Sequence, residues 1–370
     1  METTAHTLSR RGFARLLGAG VAAAALRPSL ALETATLTTS GEVRIDSNEN
    51  ALGPSPAALT AMQGAMARSW RYPDVEVSAL TDALAAHLGT GADRILLGPG
   101  SNEVLRLATM ASTGSGKTLV MADPTFEAVA GYARASGAPV TKVPLTSDYR
   151  HDLAKMAAAA SGSGLIYICN PNNPTASLTP KGEIRAFLAE LRGRATVLID
   201  EAYHHYVESP DYESAIPLID EHPNLIVART FSKIYALAGL RCGYAVARPE
   251  MIERLRLYRA WDTLNLLALV AARASLGDAG HVERSRRLNR ETRSATVAGL
   301  EAIGFRTIPS HANFLMVDLR RESRPVIEAL RGRNVYVGRV FPALPSHLRV
   351  TVGTREEMEG FLKAFGQVVT

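Results

Sequence analysis

Gly164-Leu165-Ile166-Tyr167-Ile168-Cys169-Asn170-Pro171-Asn172-Asn173-Pro174-Thr175 is an apolar run that stops abruptly in a polar, turn-forming cluster. The arrangement returns twice. Thr196-Val197-Leu198-Ile199 runs into Asp200-Glu201-Ala202-Tyr203, and Leu225-Ile226-Val227-Ala228-Arg229 runs into Thr230-Phe231-Ser232-Lys233. Runs that are apolar at nearly every position are expected of strands buried on both faces of a mainly parallel sheet. In open sheets of that kind ligands bind outside the carboxyl ends of the strands. The polar clusters fall there, together with Ala238-Gly239-Leu240-Arg241. An α/β fold with a site along one sheet edge follows.

Further short strand-like runs lie at Ile95–Leu97, Thr118–Met121, Thr141–Val143 and Cys242–Ala247, with helical stretches between them, as βαβ units require. Upstream, Ile45 to Pro56 reads as a polar, turn-rich arm, and helices are predicted from Pro56 to about Trp70 and over 75–88. Residues 250–298 read as a long Arg-rich amphipathic helix broken near Gly277–Gly280. Beyond it, strands at Asn313–Leu319, Val335–Val337 and Leu348–Val352 and a closing helix make an α+β lobe. A chain of 370 residues is long for one core, so two lobes are expected, a large domain over 71–260 and a small domain over 261–370, preceded by an arm and helix over 32–70. Ala111-Ser112-Thr113-Gly114-Ser115-Gly116-Lys117-Thr118 imitates a nucleotide phosphate loop. That loop needs a strand before it and a helix after it, whereas here the order is reversed, which predicts a helix-to-strand turn.

The polar clusters have a common chemistry. A lysine forms an imine with an aldehyde cofactor. A carboxylate keeps a pyridine nitrogen protonated, which makes the ring an electron sink. Asparagine and tyrosine hydrogen-bond a phenolic oxygen, and hydroxyls with an arginine bind phosphate. On Asn170–Thr175, Asp200–Tyr203, Thr230–Lys233 and Ala238–Arg241 the chain resembles the class I/II, fold-type I aminotransferases, in their histidinol-phosphate aminotransferase-like branch, over nearly all of residues 42–370. The resemblance implies pyridoxal 5'-phosphate as cofactor, a fold-type I large domain with a smaller α+β domain, and transfer of an amino group between an amino acid and a 2-oxo acid. It makes Lys233 the imine-forming lysine and proton carrier and Asp200 the partner of the ring nitrogen. Asn173 and Tyr203 become partners of the ring oxygen, and Thr230, Ser232 and Arg241 phosphate ligands. Gly98-Pro99-Gly100-Ser101-Asn102-Glu103 matches the family's turn into a helix, whose N–H groups suit phosphate. Tyr72 matches a tyrosine that reaches the phosphate of a neighbouring subunit, which implies a homodimer. Arg349, in Leu348-Arg349-Val350-Thr351-Val352-Gly353-Thr354, is expected on the substrate carboxylate, with Asn313 and Arg339 as further substrate contacts.

Three positions depart from the family pattern. Phe126 replaces a ring-stacking tyrosine, Asn102 an aspartate, and Ala51 a proline in the Asn48-Glu49-Asn50-Ala51 arm. His204 and His205 lack third and fourth partners for zinc, so no metal is expected. Other reactions of the same cofactor (decarboxylation, elimination or cyclisation) use the same fold. A cofactor-binding regulator or an inactive paralogue is the non-enzymatic alternative, opposed by the intact Lys233, Asp200 and Arg241.

Of the +5 formal charge, residues 1–31 carry +3 through Arg10, Arg11, Arg15 and Arg27 against Glu2, leaving +2 for the rest. A chain so balanced has no electrostatic footprint for nucleic acid, and no apolar run reaches the length of a membrane span. Ser9-Arg10-Arg11-Gly12-Phe13, an Ala-rich stretch from Leu16 to Leu26, and Ser29-Leu30-Ala31 before a cleavage point read as a twin-arginine export signal. A periplasmic enzyme without a lasting membrane anchor is the expectation, and a cytoplasmic one with a basic tail the alternative. Cys169 and Cys242, each inside an apolar run, read as buried thiols.

Overall fold

A computed structural model describes residues 41–369. Its centre is a seven-stranded sheet in the order β2-β8-β7-β6-β5-β3-β4. These strands are β2 (Ile95–Gly98), β3 (Thr118–Asp123), β4 (Val140–Pro144), β5 (Ser163–Cys169), β6 (Thr196–Asp200), β7 (Leu225–Thr230) and β8 (Gly243–Ala247). The pairs β4–β3, β3–β5, β5–β6 and β6–β7 are parallel. Strand β8 runs antiparallel to both of its neighbours. The connection from β7 to β8 holds only a short 3₁₀ turn, Ala238–Leu240. A parallel return needs a longer crossover, normally a helix, so the chain doubles back.

The apolar runs follow from burial on both faces. Leu165, Tyr167 and Cys169 of β5 and Leu198 of β6 enter one core, which α3 (Ser101–Ser112), α4 (Ala128–Ala135) and α7 (Pro249–Arg256) cover. Ile166, Ile168, Val197 and Ile199 enter the opposite core. That second core is covered by α1 (Pro56–Ala65), α2 (Asp74–Leu88), α5 (Leu153–Ala158), α6 (Lys181–Leu191) and α8 (Leu266–Leu276). Local signals set the helix ends. Ser55 accepts from the Ala58 N–H at 3.1 Å ahead of Pro56, and α2 stops at Gly89 in the left-handed conformation with φ 65°.

A third core joins Leu300, Leu315, Val317, Leu330, Leu348 and Phe361. It lies on a small antiparallel sheet of β9 (Arg306–Thr307), β10 (Phe314–Asp318) and β12 (His347–Thr351). The helices α10 (Ser323–Arg331) and α11 (Arg355–Val369) pack there. The arm is not all turn: β1 (Val43–Ile45) pairs in parallel with β11 (Val335–Val337), tying it to this lobe. The long helix read over 250–298 is three helices. The break near Gly277 is present, and Asp278 caps α9 (Ala279–Ala302) by accepting from the His281 N–H at 2.9 Å. A second break covers 257–265 and ends where Asn265 caps α8 by accepting from the Ala268 N–H at 2.8 Å. Because α8 packs in the large-sheet core, the change of core comes along α9, not at residue 261. The phosphate-loop imitation is a helix-to-strand turn, in which Gly114 pairs with Lys117 between α3 and β3.

Candidate active site

The carboxyl ends of β5, β6 and β7, the N-terminus of α3, the arm and β12 enclose a cavity of about 340 Å³. Every candidate residue lines it except Tyr72, Asn313 and Arg339. Asp200 is the last residue of β6, and Lys233 stands three residues beyond β7. Strand polarity therefore delivers both to one edge, as the sequence requires.

Asp200 is buried and has two neutral donors. Tyr167 O–H donates to Oδ2 at 3.0 Å and the Ala202 N–H to Oδ1 at 3.1 Å. No lysine, arginine or histidine among the described residues forms a salt bridge with it. Burial pushes its carboxyl up to about 6, against the hydrogen bond from Tyr167 that favours the anion. A buried carboxylate with no cationic partner of its own is suited to a cation brought by a ligand.

Lys233 Nζ donates to the carbonyls of Asn48 at 2.9 Å and Ser47 at 3.2 Å. Burial, followed by the nearby Arg349 guanidinium, pushes its amine down to about 8. A fraction of it is thus neutral, and nucleophilic, near neutral pH. Tyr203 OH accepts from Asn48 Nδ2 at 3.1 Å and Asn173 Nδ2 at 3.4 Å. Burial holds this phenol above its ordinary range, so it remains protonated.

One end of the cavity is an anion cradle. Thr230 Oγ1 donates to Ser232 Oγ at 3.0 Å, and Arg241 Nη1 donates to the same oxygen at 3.2 Å. Ser101 and Asn102 bring the first turn of α3, whose N–H groups have no acceptors inside the helix. Gly100 has φ 82°, and a Cβ built there lies 2.2 Å from Arg241 Nη2. Only glycine lets the guanidinium pass this close to the helix start.

At the other end Arg349 donates from Nη1 to Asn173 Oδ1 at 3.0 Å and from Nη2 to the Asp46 carbonyl at 2.8 Å. Its Nε–H is buried without a partner, and no Asp or Glu pairs with it among the described residues. A half-buried guanidinium without a carboxylate partner, at the mouth of a cavity, fits an incoming carboxylate. Aldehyde-reactive amine, ring-nitrogen carboxylate, ring-oxygen donors and phosphate cradle together fit pyridoxal phosphate.

The three other candidates lie elsewhere. Asn313 is buried behind the arm, where Nδ2 donates to the carbonyls of Asn48 at 3.1 Å and Glu49 at 2.9 Å. It positions the arm instead of lining the cavity. Arg339 pairs with Glu127 at 2.6 Å and stacks on Phe341, 4.4 Å from the ring centroid, while Arg349 stands 5.3 Å from the same ring. Tyr72 is 77% exposed and outside the cavity. Tyr167, Ser47 and Asn48 were given no role by sequence reasoning. The signals were a hydroxyl in a wholly buried strand and a polar Asn-Glu-Asn arm. His204 and His205 stack on each other with centroids 3.7 Å apart, and no described cluster of His, Cys, Asp or Glu could hold a metal.

Residues 40–365 match the family model described as aminotransferase class I and II. A histidinol-phosphate aminotransferase of Moorella thermoacetica is 40% identical over 331 residues, 88% of this chain and 85% of that one. The Symbiobacterium thermophilum enzyme of the same name is 41% identical, covering 87% and 89%. Among solved structures, histidinol-phosphate aminotransferase of Sinorhizobium meliloti in complex with pyridoxal-5'-phosphate superposes with a TM-score of 0.85 at 28% identity, covering 89% of this chain and 90% of that one. With the fold, the cavity and these matches in agreement, the chain belongs to the aminotransferase class I and II family.

Proposed function

We propose that this protein is a pyridoxal-phosphate-dependent aminotransferase whose donor is histidinol phosphate or an aromatic-like amino acid and whose acceptor is a 2-oxo acid. The observation that carries the reading is the placing of Lys233, Asp200 and the unpaired Arg349 around one cavity with an anion cradle. When bound, the cofactor supplies an aldehyde that takes up the amino group and a ring that draws electrons from the substrate Cα. Asp200 would hold a proton on the ring nitrogen. Asn173 and Tyr203 would bond the ring oxygen, and Phe126 lines the cavity where the ring would lie. Thr230, Ser232, Arg241 and the start of α3 hold the phosphate. Lys233 Nζ, kept partly neutral by its surroundings, would hold the aldehyde end of the cofactor and is the amine that would carry the proton of the substrate Cα. Arg349 binds the α-carboxylate of the acceptor. The stacking of Arg339 on the Phe341 ring, which Arg349 also approaches, supports reading it as a contact for a phosphate or second carboxylate on the donor.

The proposal extends to assembly and location. Trp70, Tyr72, Val75, Leu257 and Trp261 are large and exposed, and Trp261 joins Pro73 and Val77 around one surface hollow. Such a face suits a second copy of the chain, with Tyr72 reaching the partner's phosphate cradle. Export by Arg10 and Arg11, with cleavage near Ala31, rests on residues outside those the structure describes. Replacing both arginines with lysine and fractionating cells tests it: the wild type is expected in the periplasm and the variant in the cytoplasm. For the reaction, a panel of donors should be assayed with 2-oxoglutarate. Amine transfer is expected to be fastest with the donors named here. Release of carbon dioxide or ammonia instead of transfer would refute the assignment.

A further inference from the structure

Tyr167 is a large polar side chain on a buried strand of the central sheet, and it is 0% exposed. It sits in the middle of β5, two residues before Cys169, which is in register with Asp200. Its face of the sheet is otherwise lined by Leu119, Met121, Leu165 and Leu198. A phenol in such a place costs desolvation unless its hydroxyl has a partner. The partner is Asp200, whose Oδ2 accepts at 3.0 Å. A carboxylate only accepts, so the proton in this bond belongs to Tyr167. The backbone N–H of Ala202 takes the other oxygen at 3.1 Å. Both carboxylate oxygens are thus fixed from the protein side, and the group cannot turn.

Building on the cofactor reading above, we infer that Tyr167 is a positioning residue for the reaction: its O–H keeps Asp200 ionised and oriented, so that the proton between Asp200 and the facing ring nitrogen stays on the nitrogen. The competition is visible in the surroundings. Burial works against the Asp200 anion, the neighbouring Glu201 adds to that, and the hydrogen bonds from Tyr167 and Ala202 and the charge of Lys233 oppose it. Cys169 and Tyr203 also face this carboxylate, and burial keeps both protonated, as it does Tyr167 itself. Apart from the single N–H of Ala202, Tyr167 is therefore the only hydrogen-bond donor on Asp200 among the described residues. Removing its hydroxyl shifts the balance towards a proton on the carboxyl, and a ring nitrogen without its proton draws electrons poorly.

The test is Tyr167→Phe, which removes one oxygen and preserves the ring that packs in the core. In cofactor-free protein the carboxylic acid band of Asp200 is followed by infrared spectroscopy against pH, identified by its loss in Asp200→Asn. The band should persist to higher pH in Tyr167→Phe than in wild type. In the cofactor-loaded enzyme kcat should fall about tenfold with KM for the amino donor unchanged, the pattern of a lost electronic effect and not of lost binding. An unchanged infrared midpoint, or an unchanged kcat, would overturn the inference while the aminotransferase reading stands. A wild type that binds no pyridoxal phosphate would instead remove the reading on which it rests.

Discussion

Lys233 shows how much one side chain depends on its surroundings. Its amine is aimed by two arm carbonyls, those of Ser47 and Asn48, and its proton affinity is lowered by burial beside Arg349 and Arg241. Lys233→Ala should retain the fold and lose amine transfer altogether, along with the yellow colour of cofactor-loaded protein. Absorbance and a melting curve on the same sample separate the two effects. Asp200→Asn should still bind cofactor but transfer amine more slowly by about 10²-fold or more, because the ring nitrogen loses its anionic partner. Steady-state kinetics on that variant check the assignment, and near-full activity would contradict it. Arg349 makes a different demand. Its guanidinium is half-buried, with a buried Nε that has no partner, so Arg349→Lys should raise KM for the 2-oxo acid by about tenfold or more, since lysine cannot fork onto a carboxylate.

At the scale of elements, the site is a product of strand polarity. Three apolar runs ending in chemistry-bearing residues were legible in the sequence because parallel strands are buried on both faces and release the chain at one edge. Lys233, Asp200 and Asn173 were legible as polar residues beyond strand ends for that reason, and their roles, with that of Arg241, through the family resemblance. The second break at 257–265 was not, because nothing in the helical spacing announces it. It is made by local capping at Asn265 and by the packing of α8 on α1 and α2. Tyr72, Asn313 and Arg339 were named as contacts, yet their placement depends on tertiary packing that spacing does not encode. The start of α3 offers a sharp test. Gly100→Ala places a methyl 2.2 Å from Arg241 Nη2 at a φ of 82°. It should weaken pyridoxal phosphate binding by about tenfold or more, through displacement of Arg241 and backbone strain. Equilibrium titration of cofactor-free protein measures this.

For the molecule as a whole, the site is held at a cost that the cofactor relieves. The Asp200 carboxyl is raised to about 6 in the folded state, so its contribution to stability is full below the ordinary carboxylate range and lost as pH rises through about 6. The Lys233 amine is lowered to about 8, so its contribution is present above the ordinary lysine range and lost as pH falls through about 8. Between those values both groups are charged, Asp200 buried and Lys233 half-buried. Cofactor-free protein should therefore gain most in melting temperature from pyridoxal phosphate at pH 6 to 8. Calorimetry across pH checks this, and a gain that is flat with pH would contradict it. The central claim, amine transfer at the Lys233 cavity, has one direct measurement. Cofactor-loaded wild type and Lys233→Ala are each given a ¹⁵N-labelled amino donor and 2-oxoglutarate, and glutamate is analysed by mass spectrometry. Labelled glutamate from wild type and none from Lys233→Ala is the expected result. Labelled glutamate from neither, with donors of both proposed kinds, would contradict the claim.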